Sequence, residues 1–407
     1  MENILSTQIK IYNKTVNNRI LFQPMEGCDG TEDGKVSELT LRRYLRFAES
    51  GAGIIWFEAT AVCNEGRANP RQLYINENTV ESFRDTVEKI KARSYELFGF
   101  SPIIIVQLTH SGRYSKPDGT HEPIVAYRNS LWEKGKEDQP FKVVTDEYVS
   151  TIPEMYKKAA ELAIKAGFDG LDVKCCHGYL FNEFLSAYNR EGIYGGSLEN
   201  RTRLYFDCIK AVKSVAGDNA FVTTRLNSCD CFPYGYGYGV NEKEEIDLTE
   251  TKAIISGLKD LGIEFINLTI GNPYLIPHTN RPYDSNSPED PKIGMKRVYD
   301  VTKELTSSFP DIKFAVSALS YEGVNSVDYA AKLLNEGVGD FAGFGRMTFA
   351  YPTFYRDYLE KGSLDKNKVC VKCAKCSLLM RAGTVAGCVI RDNEVYMPYY
   401  QKFVLKK

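Results

Sequence analysis

Gly167-Phe168-Asp169-Gly170-Leu171-Asp172-Val173-Lys174-Cys175-Cys176-His177-Gly178-Tyr179-Leu180 reads as a helix end, a short strand and then a loop. Gly167 and Gly170 stand where the chain must turn from helix into strand. Side chains alternate along a strand, so Leu171, Val173 and Cys175 share one face, and Asp172 and Lys174 the other. In a barrel of parallel strands the apolar face meets the outer helices. The polar face and the loop after it rise into the C-terminal mouth, where such barrels carry their chemistry. Lys174, His177 and Tyr179 then arrive at one spot. Taken alone, the stretch also fits a strand end with satisfied polar groups.

Seven further apolar runs of the same kind flank this one: Ile20–Pro24, Ile54–Glu58, Pro102–Leu108, Ala220–Leu226, Glu264–Thr269, Lys313–Ala318 and Asp340–Phe344. With Gly170–Cys175 they make eight, bounded by Gly, Pro or Asp, as buried parallel strands should be. Helical patterns alternate with them, among them Glu81–Leu97, Ile152–Ala166, Arg201–Val215, Leu248–Leu261 and Val324–Glu336. Eightfold alternation predicts an α/β fold of the (β/α)8 TIM-barrel class. A doubly wound sheet would need a Gly-rich phosphate loop after its first strand. The chain instead reads Met25-Glu26-Gly27-Cys28-Asp29-Gly30 there. Residues 1–361 are therefore assigned to the barrel, and residues 362–407 to a short C-terminal extension rich in Cys.

Hydrophobic content of 43% and charged content of 26% over 407 residues are ordinary for a globular enzyme. A formal net charge of −2 argues against nucleic acid or an anionic membrane as partner. No run of about 18 apolar residues exists, and Met1–Lys10 lacks a signal-peptide core. The 11 cysteines then read as thiols or metal ligands, not a disulfide framework, and a cytosolic location is expected. Three long connections, Ser111–Thr145, Asn227–Asp247 and Gly271–Lys292, follow strands and should gather at the mouth. The second contains Phe232-Pro233-Tyr234-Gly235-Tyr236-Gly237-Tyr238-Gly239, read either as a flexible loop or as an aromatic wall for a flat apolar substrate.

His177-Gly178-Tyr179-Leu180, Phe184-Leu185-Ser186 and Tyr194-Gly195-Gly196-Ser197-Leu198-Glu199-Asn200-Arg201 resemble the signature of the old yellow enzyme family of FMN oxidoreductases. Gln107-Leu108-Thr109-His110-Ser111-Gly112-Arg113 is similar to a second motif of that family. Asn18-Arg19-Ile20 with Pro24-Met25 is similar to its first strand. The resemblance runs in order to about Lys361. It implies FMN across the strand tips and reduction of an activated C=C in a small molecule, cyclic or aromatic. NAD(P)H serves as electron donor, and a homo-oligomer is expected.

Carried over residue by residue, Pro24, Met25, Glu26 and Ala59 would back the flavin ring. Gln107 and Arg225 would meet its pyrimidine edge, and Ser317, Ala318, Gly345 and Arg346 would clamp its phosphate. Glu26 departs from the small residue usual in relatives, and an ionised carboxylate there would disfavour a reduced anion. His177 would hold the substrate carbonyl, with Tyr179 as proton donor. Lys174 replaces a family His and has three readings: it binds an enone oxygen, binds a substrate carboxylate, or pairs with Asp172 or the flavin. His278 is similar in placement to a second acid of dienoyl-CoA-type relatives, or is a solvated loop histidine. His110 reads as structural.

Cys370-x2-Cys373-x2-Cys376-x11-Cys388 offers four thiolates for a [4Fe–4S] cluster, a structural zinc, or plain reduced thiols. It resembles the set of the 2,4-dienoyl-CoA reductase and trimethylamine dehydrogenase branch, which has one more residue between the second and third cysteines. No GxGxxG opens a helix after a strand, so electrons should come from NAD(P)H directly or from an electron-transfer protein. The alternative activity is amine dehydrogenation or demethylation, with the Phe232–Tyr238 tyrosines as a cage for a cation. A flavin-binding carrier or sensor is the non-enzymatic alternative.

Overall fold

The computed structural model describes residues 3–135, 140–283 and 286–407. Residues 136–139 of the first long connection and 284–285 of the third therefore lie outside the described residues. Eight parallel strands close a barrel: β1 (Ile20–Phe22), β2 (Ile54–Ala61), β3 (Ile103–Thr109), β4 (Gly170–Val173), β5 (Phe221–Asn227), β6 (Phe265–Thr269), β7 (Lys313–Val316) and β8 (Phe341–Phe344). Closure is made by β8 on β1, with Phe344 opposite Phe22. All eight predicted runs are strands.

Each strand is followed by a helix: α1 (Glu38–Ala48), α2 (Val80–Phe98), α3 (Asp146–Lys165), α4 (Leu198–Ala216), α5 (Thr249–Asp260), α6 (Pro291–Ser308), α7 (Ser326–Asn335) and α8 (Phe354–Lys361). Helix α3 begins six residues before the predicted Ile152. The Thr145 side chain accepts from the Tyr148 N–H, and Asp146 and Glu147 fill the first turn, which starts the helix despite Pro153 within it.

Two apolar layers result. Outward-facing Leu171, Val173 and Cys175 of the β4 segment pack among the helices. Leu21, Ile54, Trp56, Ile105, Phe221, Phe265, Ala315 and Phe341 fill the barrel. The hairpin Ile9–Ile11/Lys14–Val16 seals the N-terminal end, its Tyr12 ring stacked 4.9 Å from that of Phe221. The face assignment along β4 therefore holds. The turn reading holds for Gly167, whose φ is 85°, but not for Gly170. A Cβ on Gly170 would stand 2.6 Å from the Phe221 ring and 2.9 Å from Ile105, so this glycine makes room for the barrel interior. Gly170→Ala should lower unfolding stability by about 1–3 kcal/mol, read from the midpoint of urea denaturation.

Residues 362–407 fold over the mouth. Helices α9 (Lys375–Arg381) and α10 (Asn393–Tyr399) bury Leu379, Val385, Val389, Tyr396 and Tyr400 in a small core of their own. The extension is tied to the barrel through Ala386 N–H to Gly27 C=O at 2.6 Å. Arg42 to Asp392 at 2.8 Å and Arg281 Nη1 to Ser377 Oγ at 2.7 Å add to it. No helix of the described residues is long and apolar enough to cross a membrane.

Candidate active site

The floor of the mouth is set by Asp172. Its carboxylate accepts from Trp56 Nε1 at 2.8 Å, Gln107 Nε2 at 2.7 Å and the Arg225 N–H at 2.7 Å. Burial raises this carboxyl to about 6 even so, because the three donors only partly replace water. These bonds join β2, β3, β4 and β5 and fix the Gln107 amide by its NH2 group.

Above this floor lies a cavity of about 1200 Å³, open mouth included. Pro24, Met25 and Glu26 enter it from β1, Ala59 from β2, Gln107 from β3 and Arg225 from β5. Ser317 and Ala318 come from the end of β7, and Gly345 and Arg346 from the end of β8. Lys174, His177 and Tyr179 reach the same space from the loop after β4. The sequence thus predicts thirteen of the lining residues. His278 is not brought into it: it lies in a one-turn segment, Pro277–Thr279.

The loop after β4 is shaped by two successive left-handed residues, His177 with φ 65° and Gly178 with φ 69°. Gly178 has no room for a side chain, since a Cβ would meet the Trp132 ring and Asn272. Its N–H donates to Asn182 Oδ1 at 2.6 Å, which turns the chain straight into the short helix Leu180–Leu185. Tyr179 immediately precedes that helix, with its ring 2% exposed and its hydroxyl 3.0 Å from that of Tyr274. Lys174 Nζ sits 3.5 Å from the Tyr179 ring centroid. Among the described residues it forms no ion pair with Asp172, whose oxygens are taken by the three donors above; the enone, carboxylate and flavin readings of Lys174 remain.

The charged lining is Glu26 against Lys174, Arg225, Arg281, Arg346 and Arg381. Burial raises the Glu26 carboxyl, with Lys174 opposing the shift, and Asn69 Nδ2 donates to it at 3.0 Å. Burial, then the Arg225 and Lys174 charges, hold His177 far below its usual range, so it is a neutral imidazole. Burial lowers Lys174 and raises Tyr179 well above the ordinary phenol range. Arg225 Nε is buried without a hydrogen-bond partner. Arg346 is 8% exposed and, among the described residues, donates to the Pro282 carbonyl at 2.8 Å.

Sequence reasoning misses Tyr274 and Arg281, which enter the cavity from the third long connection. Their signals are faint: Asn272-Pro273 marks a turn before Tyr274, and Pro282 follows Arg281. The aromatic rings that line the cavity are Tyr179, Tyr274 and Phe349, not those of the Tyr/Gly run. Tyr114 stacks on Tyr274 at 4.0 Å and tilts against Tyr179 at 5.5 Å. Trp132 meets Tyr114 at 6.0 Å and Phe232 at 5.3 Å. Tyr234 and Tyr236 are 52% and 39% exposed, and Tyr238 is buried with its hydroxyl on the Asn227 carbonyl. These three tyrosines do not line the cavity.

His110 is structural in its bonding. Its Nδ1 accepts from the Gly112 N–H at 3.1 Å, its Nε2 meets Tyr148 Oη at 3.0 Å, and that phenol donates to Glu65 at 2.6 Å. Arg113, ending the same motif, pairs with buried Glu133 and Glu183.

Cys376 and Ser377 of α9 line the cavity as well, which brings the extension to its edge. The Cys376 thiol feels Cys370 and Cys373, and the Cys388 thiol feels Cys370 and Cys376, so the four share one neighbourhood. Lys372 and Ala374 between them are left-handed, with φ 59° and 55°. Backbone N–H groups of Lys372 and Arg391 reach Cys370 Sγ at 3.5 Å and Cys388 Sγ at 3.3 Å.

A parallel barrel whose mouth holds buried cations, a carboxyl, a phenol and an imidazole has its active-site cavity where this class of barrel carries its chemistry. Residues 5–357 match the NADH:flavin oxidoreductase / NADH oxidase family. The chain belongs to that family, and it is an FMN-dependent oxidoreductase of the old yellow enzyme type. The NADPH dehydrogenase of Halalkalibacterium halodurans is 33% identical over 277 residues, covering 67% of this chain and 74% of that relative. Among solved structures, 2-naphthoyl-CoA reductase in complex with 2-naphthoyl-CoA superposes with a TM-score of 0.78 at 22% identity. That likeness covers 96% of this chain and 57% of the other. An old yellow enzyme homologue from Zymomonas mobilis gives 0.66 at 22% identity, covering 89% and 94%. At these identities the structural likenesses speak for the fold.

Proposed function

We propose that the protein reduces an activated C=C, in an enone or enoate, with Tyr179 as proton donor. The observation that carries this reading is the buried Tyr179 phenol beside neutral His177 and above the Gln107/Arg225 floor. FMN, when bound, supplies the hydride from N5. The lining fits it: Pro24, Met25 and Ala59 offer an apolar backing, and Gln107, fixed by its NH2 on Asp172, leaves its carbonyl oxygen for a ring N–H. The unpartnered Arg225 Nε and the Arg346 guanidinium, which among the described residues meets the Pro282 carbonyl and no carboxylate, are donors that a pyrimidine edge and a phosphate would satisfy. Burial raises the Glu26 carboxyl, which lessens the repulsion it would exert on a reduced ring. His177, neutral, donates to a carbonyl oxygen as charge builds on it. Tyr179, kept a phenol by burial, delivers its proton to the α-carbon.

NADPH is the proposed reductant, supported by the H. halodurans relative. For the four cysteines we favour a [4Fe–4S] cluster. Zinc needs sulfurs about 3.8 Å apart from bond lengths of about 2.3 Å. Among the described residues no three of these sulfurs lie within 4.8 Å of one another, which argues against zinc and leaves a cluster or plain thiols. The N–H donors on Cys370 and Cys388 suit thiolates, and Arg281 and Arg346 beside Cys376 offset their charge. The extension's reach to the cavity edge supports an external electron donor as a second route. The amine-dehydrogenase alternative loses support, since the Phe232–Tyr238 tyrosines stand off the cavity and Lys174 already occupies the face of Tyr179.

The test is anaerobic: protein reduced by NADPH is mixed with 2-cyclohexen-1-one and, separately, oxidised protein with trimethylamine, following the flavin absorbance. Reoxidation by the enone with no bleaching by the amine is expected, and the reverse would overturn the reading. Iron and flavin assays on the same sample should give four irons per FMN. Lys174→Ala should slow reoxidation by the enone at least ~10-fold while changing FMN affinity little; equal rates would remove Lys174 from the chemistry.

A further inference from the structure

We infer that Tyr274 is a positioning residue that re-supplies the proton of Tyr179, an inference that rests on the ene-reductase reading above. Tyr179 is 2% exposed, so water does not reach its hydroxyl freely. The polar partner of that hydroxyl is Tyr274 Oη at 3.0 Å, within range for proton transfer. Tyr274 lies on the third long connection and lines the cavity, half-buried as a residue although burial also raises its phenol. It stands between the sealed Tyr179 hydroxyl and the rest of the cavity.

Its position is held from two directions. The Asn272 carbonyl oxygen of the side chain accepts from the N–H groups of Tyr274 and Leu275 at 2.9 and 3.2 Å, a local turn that sets the backbone. The Tyr114 ring, 4.0 Å away centroid to centroid and inclined by 30°, fixes the Tyr274 ring. Both rings are thus in place before a substrate enters.

The proton balance is simple. As Tyr179 protonates the α-carbon, its O–H bond breaks, a C–H bond forms on the carbanion's electron pair, and a buried phenolate is left. A phenolate without water is costly. The Tyr274 hydroxyl donates to it and passes its own proton across, restoring Tyr179, and Tyr274 recovers a proton from bulk water. Lys174 over the Tyr179 ring favours the transient negative charge. No electron moves in these steps.

Tyr274→Phe keeps the ring and its stack on Tyr114 and removes only the hydroxyl. Anaerobic stopped-flow reoxidation of the NADPH-reduced holoenzyme by 2-cyclohexen-1-one should slow about 10–100-fold, with a larger solvent deuterium isotope effect than in the parent protein. FMN content and the rate of flavin reduction by NADPH should not change. Tyr274→His, which returns a donor to this spot, should recover much of the rate, whereas Tyr274→Leu should not. Parent-like reoxidation and isotope effect in Tyr274→Phe would overturn the relay. Should that variant fail to fold, equal rates for Tyr274→His and Tyr274→Leu would overturn it as well. Tyr179→Phe separates the two levels: if it reduces the enone normally, the acid assignment itself falls, whereas a dead Tyr179→Phe beside a normal Tyr274→Phe removes only the relay.

Discussion

Tyr179→Phe should slow protonation of a reduced alkene by about 10²–10⁴-fold, the usual contribution of a placed general acid. The substitution deletes one oxygen from a ring already fixed by Lys174, Tyr114 and Tyr274, so the packing around it persists. Because burial holds the Tyr179 phenol well above its ordinary value, it stays protonated through neutral and mildly alkaline pH. The loss in the variant should accordingly be uniform over that range, not confined to one limb of a pH profile. Reduction by NADPH should proceed at the parent rate, since it asks for no proton from this side chain. The measurement is a pair of anaerobic half-reactions, and an intact alkene half-reaction in Tyr179→Phe would refute the assignment.

Arg346→Ala should weaken FMN binding by about 10–150-fold, from the roughly 1.5–3 kcal/mol that a hydrogen bond to a charged group supplies. The guanidinium is buried and spends one donor on the Pro282 carbonyl. Arg113 shows the contrast, being buried too but neutralised by Glu133 and Glu183. An arginine buried with no carboxylate partner among the described residues is arranged for an anion that arrives from outside. Fluorescence titration of the flavin-free protein with FMN reads the effect. Arg346→Lys should recover part of it, since an ammonium keeps the charge and loses the planar fork. Unchanged affinity in Arg346→Ala would move the phosphate elsewhere.

The barrel was legible because each strand is buried on both faces and therefore reads as an apolar run, with helical periodicity between. The strand-tip residues were legible for a related reason: register and direction follow once a strand is identified, so Lys174, Gln107 and Arg225 point into the mouth wherever the loops go. Gly170 shows where this stops. Its place before a strand resembles a turn, but its need for hydrogen in place of a methyl comes from Phe221, 51 positions later.

Local pattern and strand alternation alone thus determined the eightfold architecture and the inward set at the strand ends, since both rest on short-range backbone periodicity. Tertiary structure decided the rest. It set Asp172 on Trp56 and Gln107 instead of Lys174, chose Tyr274 over His278, and turned Tyr234 and Tyr236 to solvent. It also folded Cys376 back onto the cavity edge. Those outcomes hinge on which of several polar or aromatic neighbours, distant in sequence, arrives first within about 3–4 Å, and nothing local in the chain encodes that distance.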